Sequence, residues 1–319
     1  MRSIGKLIIL AAALSTGSVS ARTFSWQPNV SVAFDAGSTG IGFQLESDIN
    51  DMLRLRTGFD WVPHFEYPMH FSIQVGEDGD PGYDSEGNSR FDRMADYLED
   101  MTGFQIDQQV DMVGVPHFHN FKLLIDVAPF RNRNWYFTAG FYAGPSVIGR
   151  AYNTTEDMTT LMCVSMYNSI YDKVYDIENN EDSQLDGVFL GLELPPAINA
   201  RILDAGRMGM HVGDFKDGTP YMMEPDADNM VKADMKVRSF KPYLGAGYSR
   251  QPSKGHVGFA CDAGILFWGG TPKVTTHDGT DLIEDLDNVI GQVERYTKLV
   301  RPMKVYPVLN LSVIYRFNL

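Results

Sequence analysis

Residues 305–319 constrain this chain more than any other stretch, because every odd position is apolar or aromatic: Val305, Pro307, Leu309, Leu311, Val313, Tyr315, Phe317 and Leu319. Successive side chains of a strand point to opposite faces, so the pattern predicts one long strand with a continuous apolar face. Its other face is mixed, with Asn310, Ser312, Arg316 and Asn318. A membrane-crossing strand needs about ten residues and carries aromatics where it meets the interface. This stretch meets both requirements, and a greasy face of that length suits lipid better than a soluble core.

The other end agrees. Arg2 and Lys6 flank the start of an apolar run at 7–14, and small residues and Val19-Ser20-Ala21 follow, the layout of a secretory signal over residues 1–21. That run is too short to span a bilayer. No run of about eighteen apolar residues occurs beyond it. Only helices and closed barrels satisfy their backbone groups in lipid, so any crossing must be made by strands.

The same alternation recurs along the chain, at Ile41–Phe43–Leu45, at Leu53 through Trp61, at Phe71–Ile73–Val75, at Phe121 through Val127 and at Trp135 through Phe141. It returns at Phe240 through Tyr248 and at Val257 through Phe267, with weaker candidates at 30–36, 105–113, 185–193 and 204–215. The expected fold is all-β, a closed antiparallel transmembrane barrel over residues 22–319. Eight to twelve strands fit, with ten to twelve the best count. Inserts are expected near 76–104, 145–184, 216–230 and 271–300. Short helices should occupy some of them, one over Asp281 to Val300 and one around Ser89 to Met101, each with apolar residues at helical spacing. Either helix could cap the barrel mouth or pack within loop structure.

If the apolar positions face lipid, Glu46, Arg54, Arg56, Asp60, Lys122, Asp126, Asp262 and Arg316 face the lumen. Acids and bases in a narrow lumen pair and fill it. Gly140, Gly245, Gly247 and Gly264 share that face and leave room for long side chains. In a soluble sandwich the same face would meet water, and its charges would have no need to balance.

The chain carries 27 basic and 41 acidic residues, net −14, which argues against nucleic acid as a partner. The acids cluster between the strand-like segments, as solvated loops should. Two cysteines, Cys163 and Cys261, allow one disulfide but no framework.

Four motifs carry a resemblance: Pro242-Tyr243-Leu244-Gly245-Ala246-Gly247, Phe259 through Gly264, Gly270-Thr271-Pro272-Lys273-Val274, and Pro307-Val308-Leu309 leading to Tyr315-Arg316-Phe317. They look like the P-Y-L-G-x-G, F-x-x-D-x-G, G-x-P-K-V and closing Y-R-F pattern of a Gram-negative (Bacteroidetes-like) group of outer-membrane β-barrel proteins. Residues 37–42 and Leu55-Arg56 are similar to that group's first two strands, whereas 76–235 has little counterpart. The resemblance implies a fold and a cell outer-membrane location, and no catalytic residues. Asn318 and Leu319 extend past the usual terminal aromatic.

Chemistry motifs are sparse. His117 and His119 share one face, as two metal ligands would, but sequence places no third ligand, and a solvated or headgroup-level pair fits as well. Asp78, Asp80, Asp84 and Glu86 lack the regular spacing of a calcium loop. No nucleophile motif appears. The expected function is a narrow or plugged pore or a structural barrel without catalytic activity, cofactor or metal. The alternative is a barrel displaying acidic loops that bind a partner protein, glycan or cation, and a membrane hydrolase ranks third. Expected partners are membrane lipid, the outer-membrane insertion machinery acting on the C-terminal strand, and an extracellular or membrane protein.

Overall fold

The structure, a computed structural model, describes residues 29–76, 80–179, 196–250 and 255–317. The signal segment, the candidate strand at 185–193, Asp78, and Asn318 with Leu319 lie outside the described residues. In chain order the elements are β1 (Val30–Gly37), β2 (Gly40–Asp48), β3 (Leu53–Trp61), β4 (Tyr67–Ser72), β5 (Gln74–Val75), α1 (Arg90–Thr102), β6 (Gln109–Pro116), β7 (His119–Val127), β8 (Trp135–Ala143) and β9 (Val147–Asn153). There follow α2 (Met158–Asn179), α3 (Pro196–Ala205), β10 (Met208–Phe215), β11 (Pro220–Met223), β12 (Lys232–Lys236), β13 (Phe240–Arg250), β14 (Val257–Leu266), β15 (Lys273–Thr276), β16 (Leu286–Val289), α4 (Gly291–Val300) and β17 (Tyr306–Arg316).

Eight strands close a barrel in the order β1-β17-β14-β13-β8-β7-β3-β2, each antiparallel to its neighbours, with β2 returning to β1. The closing strand behaves as its alternation predicts. Leu309, Leu311, Val313 and Tyr315 are exposed on the outer wall, while Val308, Asn310, Ser312 and Ile314 are buried inside. Phe34, Phe43, Phe121, Ile125, Phe137, Leu244 and Phe259 extend that apolar wall round the barrel.

Eight strands stand at the low end of the expected range, and the reason is physical. The segments at 71–75, 105–113 and 204–215 do form strands, but Ile73, Val75, Val110, Met112, Met208 and Met210 are buried in a second core outside the barrel. Alternation reports that one face is apolar and cannot say whether lipid or protein covers it.

That second core sits on a raised part of the barrel wall. The five-stranded sheet β4-β6-β9-β12-β15 repeats the order of β3-β7-β8-β13-β14, the barrel strands adjacent to them in sequence. Backbone hydrogen bonds continue across the corners, from Val62 N to Phe118 O (2.9 Å), His117 N to Ile148 O (2.8 Å), Gly144 N to Ser239 O (3.0 Å) and Arg238 N to Trp268 O (3.0 Å). Five strands of the barrel therefore continue beyond it.

The even positions Val110 and Met112 of β6 run on through Phe118 to the lumen-facing Asn120, Lys122 and Leu124 of β7. The second core thus lies on the lumen side of the raised wall. It gathers Phe91 and Leu98 of α1, Leu161, Val164, Tyr167 and Ile170 of α2, and Ile202 of α3. A second sheet, with β10 paired to β5, β11 and β16, completes it. The three excursions that build this unit, 62–118, 144–239 and 267–305, all leave from one end of the barrel. The links at 49–52 and 128–134 lie at the other end, with both ends of the barrel chain.

The helix expected around Ser89 is present: Ser89 caps α1 in a reciprocal box with Asp92, and Gly103, at φ +73°, ends it. The helix expected over Asp281 to Val300 is shorter and begins at Gly291. Asp281 accepts the amide of Ile283 (3.0 Å) in a local turn, and 286–289 is drawn into β16 against β10. Long α2 went unpredicted because its apolar residues are not confined to one stripe: Met158, Met162 and Tyr175 are exposed while Leu161, Val164, Tyr167 and Ile170 are buried. Among the described residues no helix is long and apolar enough to cross a membrane. Cys163 is buried in α2 and Cys261 lies exposed on the outer wall, both as free thiols.

Candidate functional site: the filled lumen

The pleat of each barrel strand sends alternate side chains inward, and the inward set is charged or aromatic. Glu46, Arg56, Asp60, Lys122, Asp126 and Asp262 are all buried within the lumen, whereas Arg54 and Arg316 sit half-buried at its far mouth. The charges fall into levels along the barrel axis.

At the central level Arg56 of β3 donates to Asp126 Oδ1 (2.8 Å) and to Asp262 Oδ1 (3.0 Å) and Oδ2 (3.1 Å). Asp126 belongs to β7 next door, but Asp262 belongs to β14, four strands away in either direction round an eight-stranded barrel. The guanidinium therefore crosses the diameter. Thr138 donates to Asp126 (2.8 Å) and Tyr136 to Asp262 (3.0 Å), and the Tyr136 ring lies beneath Arg56 at 5.4 Å. A planar fork that binds carboxylates bidentately and stacks on a ring suits such a place better than an ammonium.

The next level toward the excursions is held by Lys122, which donates to Asp35 (2.5 Å) and Asp60 (2.6 Å). Thr39 joins Asp60 to Asn310, at 3.1 Å from each. Around and beyond these levels, Phe118, Leu124, Tyr142, Tyr243, Leu266 and Val308 pack as an apolar and aromatic plug. Lys241 is buried there with Asn120 as hydrogen-bond partner (3.0 Å) and the Phe118 ring at 5.8 Å. Toward the other mouth, Arg54 meets Asp48 (3.2 Å) and Glu46 (3.6 Å), and Arg316 meets Asp48 (3.3 Å). A void among Asp35, Arg56, Lys122, Tyr142 and Asn310 offers about 10 Å³, room for the centre of roughly one water.

Two glycines explain how large rings fit. A Cβ at Gly264 would lie 2.5 Å from the Tyr243 hydroxyl, and one at Gly247 would lie 2.5 Å from the Tyr136 ring. Asp35, Asp48, Asn120 and Lys241 escaped the reading of the sequence, though strand parity held the signal: Lys241 shares its face with Tyr243, Gly245 and Gly247.

Charges paired inside and apolar residues outside invert the pattern of a soluble protein. The wall is that of a membrane barrel. No family model matches the chain, and no curated protein matches it either. Among solved structures it is similar to CarO of Acinetobacter baumannii, with a TM-score of 0.36 and 13% identity over 91% of this chain and 98% of that one. It is similar to CarO2 of the same organism at 0.37 and 15%, over 91% and 100%. A major outer membrane protein from Thermus thermophilus follows at 0.28 and 12%, over 91% and 99%. At such similarity the barrel reading rests on this chain's own closed ladder of strands.

Beyond the barrel, several loop acids bind the backbone of their own turns. Asp84 accepts the amides of Glu86 and Asn88 (both 2.9 Å), and the Asn88 amide above all holds its carboxyl below the ordinary carboxylate range. Asp217 and Asp226 tie their own turns in the same way. Among the described residues no group of three or more His, Cys, Asp or Glu could hold a metal ion.

Proposed function

We propose that this chain is an outer-membrane protein whose plugged barrel anchors the folded unit built from its three excursions, and that it conducts solutes slowly or not at all. The crossing of the lumen by Arg56 carries this reading, since a salt bridge spanning the diameter must break before any solute passes. Long inserts leave one end and short links the other, which supports an external position for the folded unit. The four sequence motifs support membership in the outer-membrane group they resemble, and β17, which seals the barrel against β1, is the segment for the insertion machinery to engage. Display of the external unit to an extracellular or membrane protein is the second reading. It is favoured over cation capture because Asp84, Asp217 and Asp226 each commit one oxygen to their own turn, and Asp226 gives the other to Lys232.

Planar-bilayer recording tests the plug. Purified protein should give no resolvable conductance steps, and Asp262→Ala, which frees one end of the crossing, should raise the leak. Stepwise ohmic channels in the unaltered protein would overturn the reading.

A further inference from the structure

The outer face of the raised wall continues the lipid-facing face of the barrel, and at its base the charge changes sign against the rest of the molecule. Odd positions run outward from Phe121 through His119 and His117 to Val115, and Val115 is paired in register with Arg150, which is paired in turn with Asp234. Paired residues of neighbouring strands share a face. Arg150 Nε stands 3.6 Å from Asp234, and Lys236 Nζ stands 4.0 Å from the same carboxylate. Beside them the His117 and His119 rings meet edge to face with centroids 4.8 Å apart. Two permanent cations and two imidazoles thus surround one acid, in a chain whose net charge is −14. The adjacent His64 faces its own acid, Glu66, at 3.6 Å.

Below this cluster lies an aromatic shelf. Trp61 is the register partner of His119, Phe121 and Phe141 are 6.4 Å apart, and Phe141 and Phe240 are 4.9 Å apart. Aromatic side chains with basic residues just beyond them mark the level where acyl chains give way to headgroups. We propose that this rim binds the phosphate headgroup of an anionic membrane lipid, with its chains on the Phe121, Phe141 and Phe240 shelf. The inference rests on the membrane-barrel reading and adds a ligand class to it. Continuity with the apolar wall and the local excess of positive charge select lipid phosphate over a soluble partner. Burial above all, then His119 and Arg150, push the His117 imidazole below its ordinary pKa, so Arg150 and Lys236 supply the charge.

The test uses the full chain in phosphatidylcholine nanodiscs titrated with lipid A, a bisphosphorylated glycolipid, with bound lipid counted by native mass spectrometry. Lipid A should be retained over phosphatidylcholine. Each cation removed by Arg150→Gln or Lys236→Gln should weaken retention about fivefold. Asp234→Asn should strengthen it, and Lys298→Gln on α4 should leave it unchanged. Equal retention of the two lipids, or unchanged affinity in the R150Q/K236Q double variant, overturns the proposal. Inorganic phosphate binding as tightly as lipid A would identify a soluble-anion site and overturn it as well. A protein that fails to enter nanodiscs refutes the membrane reading itself, whereas one that enters without lipid preference refutes only this inference.

Discussion

Arg56 does at one residue what the lumen does as a whole, holding two carboxylates that would otherwise repel across a space with little water. Removing one partner of a buried ion pair typically costs about 3–5 kcal/mol, because the remaining charge stays desolvated and unpaired. Arg56→Met leaves Asp126 with Thr138 and Asp262 with Tyr136 as their remaining hydrogen-bond partners in this network. The expected outcome is a loss of that order in detergent unfolding, and Arg56→Lys should fall between, since an ammonium cannot serve both carboxylates bidentately. An unchanged midpoint for Arg56→Met would mean that water already solvates this level. Strand parity placed Arg56 and Asp262 on one face, but the choice among Arg54, Arg56 and Arg316 was not legible. It depends on which strands stand opposite, and only closure of the barrel decides that. Arg54, two residues from Arg56 on the same strand, turns instead to Glu46 and Asp48 at the mouth.

An element is stabilised by what its outer face meets, and two exposed leucines separate lipid from water. Leu311 on β17 is 61% exposed and Leu299 on α4 is 67% exposed, so exposure alone treats them alike. Leu311 lies midway along a membrane-length strand whose neighbours on β1 and β14 are also apolar outward. Arginine at bilayer depth costs about 2–4 kcal/mol. Leu311→Arg should therefore destabilise the protein folded into lipid vesicles by that measure, whereas Leu299→Arg should be near neutral, because α4 belongs to the unit beyond the barrel. Equal effects at both positions would mean that β17 does not face lipid. The odd-position pattern of 305–319 was legible because both faces of that strand have different solvents along their whole length. β6 misled for the complementary reason: its Val110 and Met112 join a core shared with α1 and α2, built by residues distant in sequence that no local period encodes.

The whole molecule is two cores on one continuous set of strands, and its parts should be separable. Barrel closure uses only β1–β3, β7, β8, β13, β14 and β17; the corner bonds Val62 to Phe118 and Gly144 to Ser239 join the ends of two excursions, and the register pair Leu266 and Tyr306 flanks the third. Replacing all three excursions by short turns at those corners removes the second core together with its sheet and leaves the barrel ladder intact. Such a minimal barrel should still enter detergent micelles, stay β-rich by circular dichroism, and migrate as a folded band that shifts on heating. It should also stay closed to ions, because the Arg56 and Lys122 levels lie within the barrel strands and owe nothing to the excursions. Conductance appearing only in the minimal barrel would move the seal from the lumen to the unit beyond the barrel. Loss of the folded band would mean that the raised wall, with its five strands shared by both cores, is what holds the barrel shut.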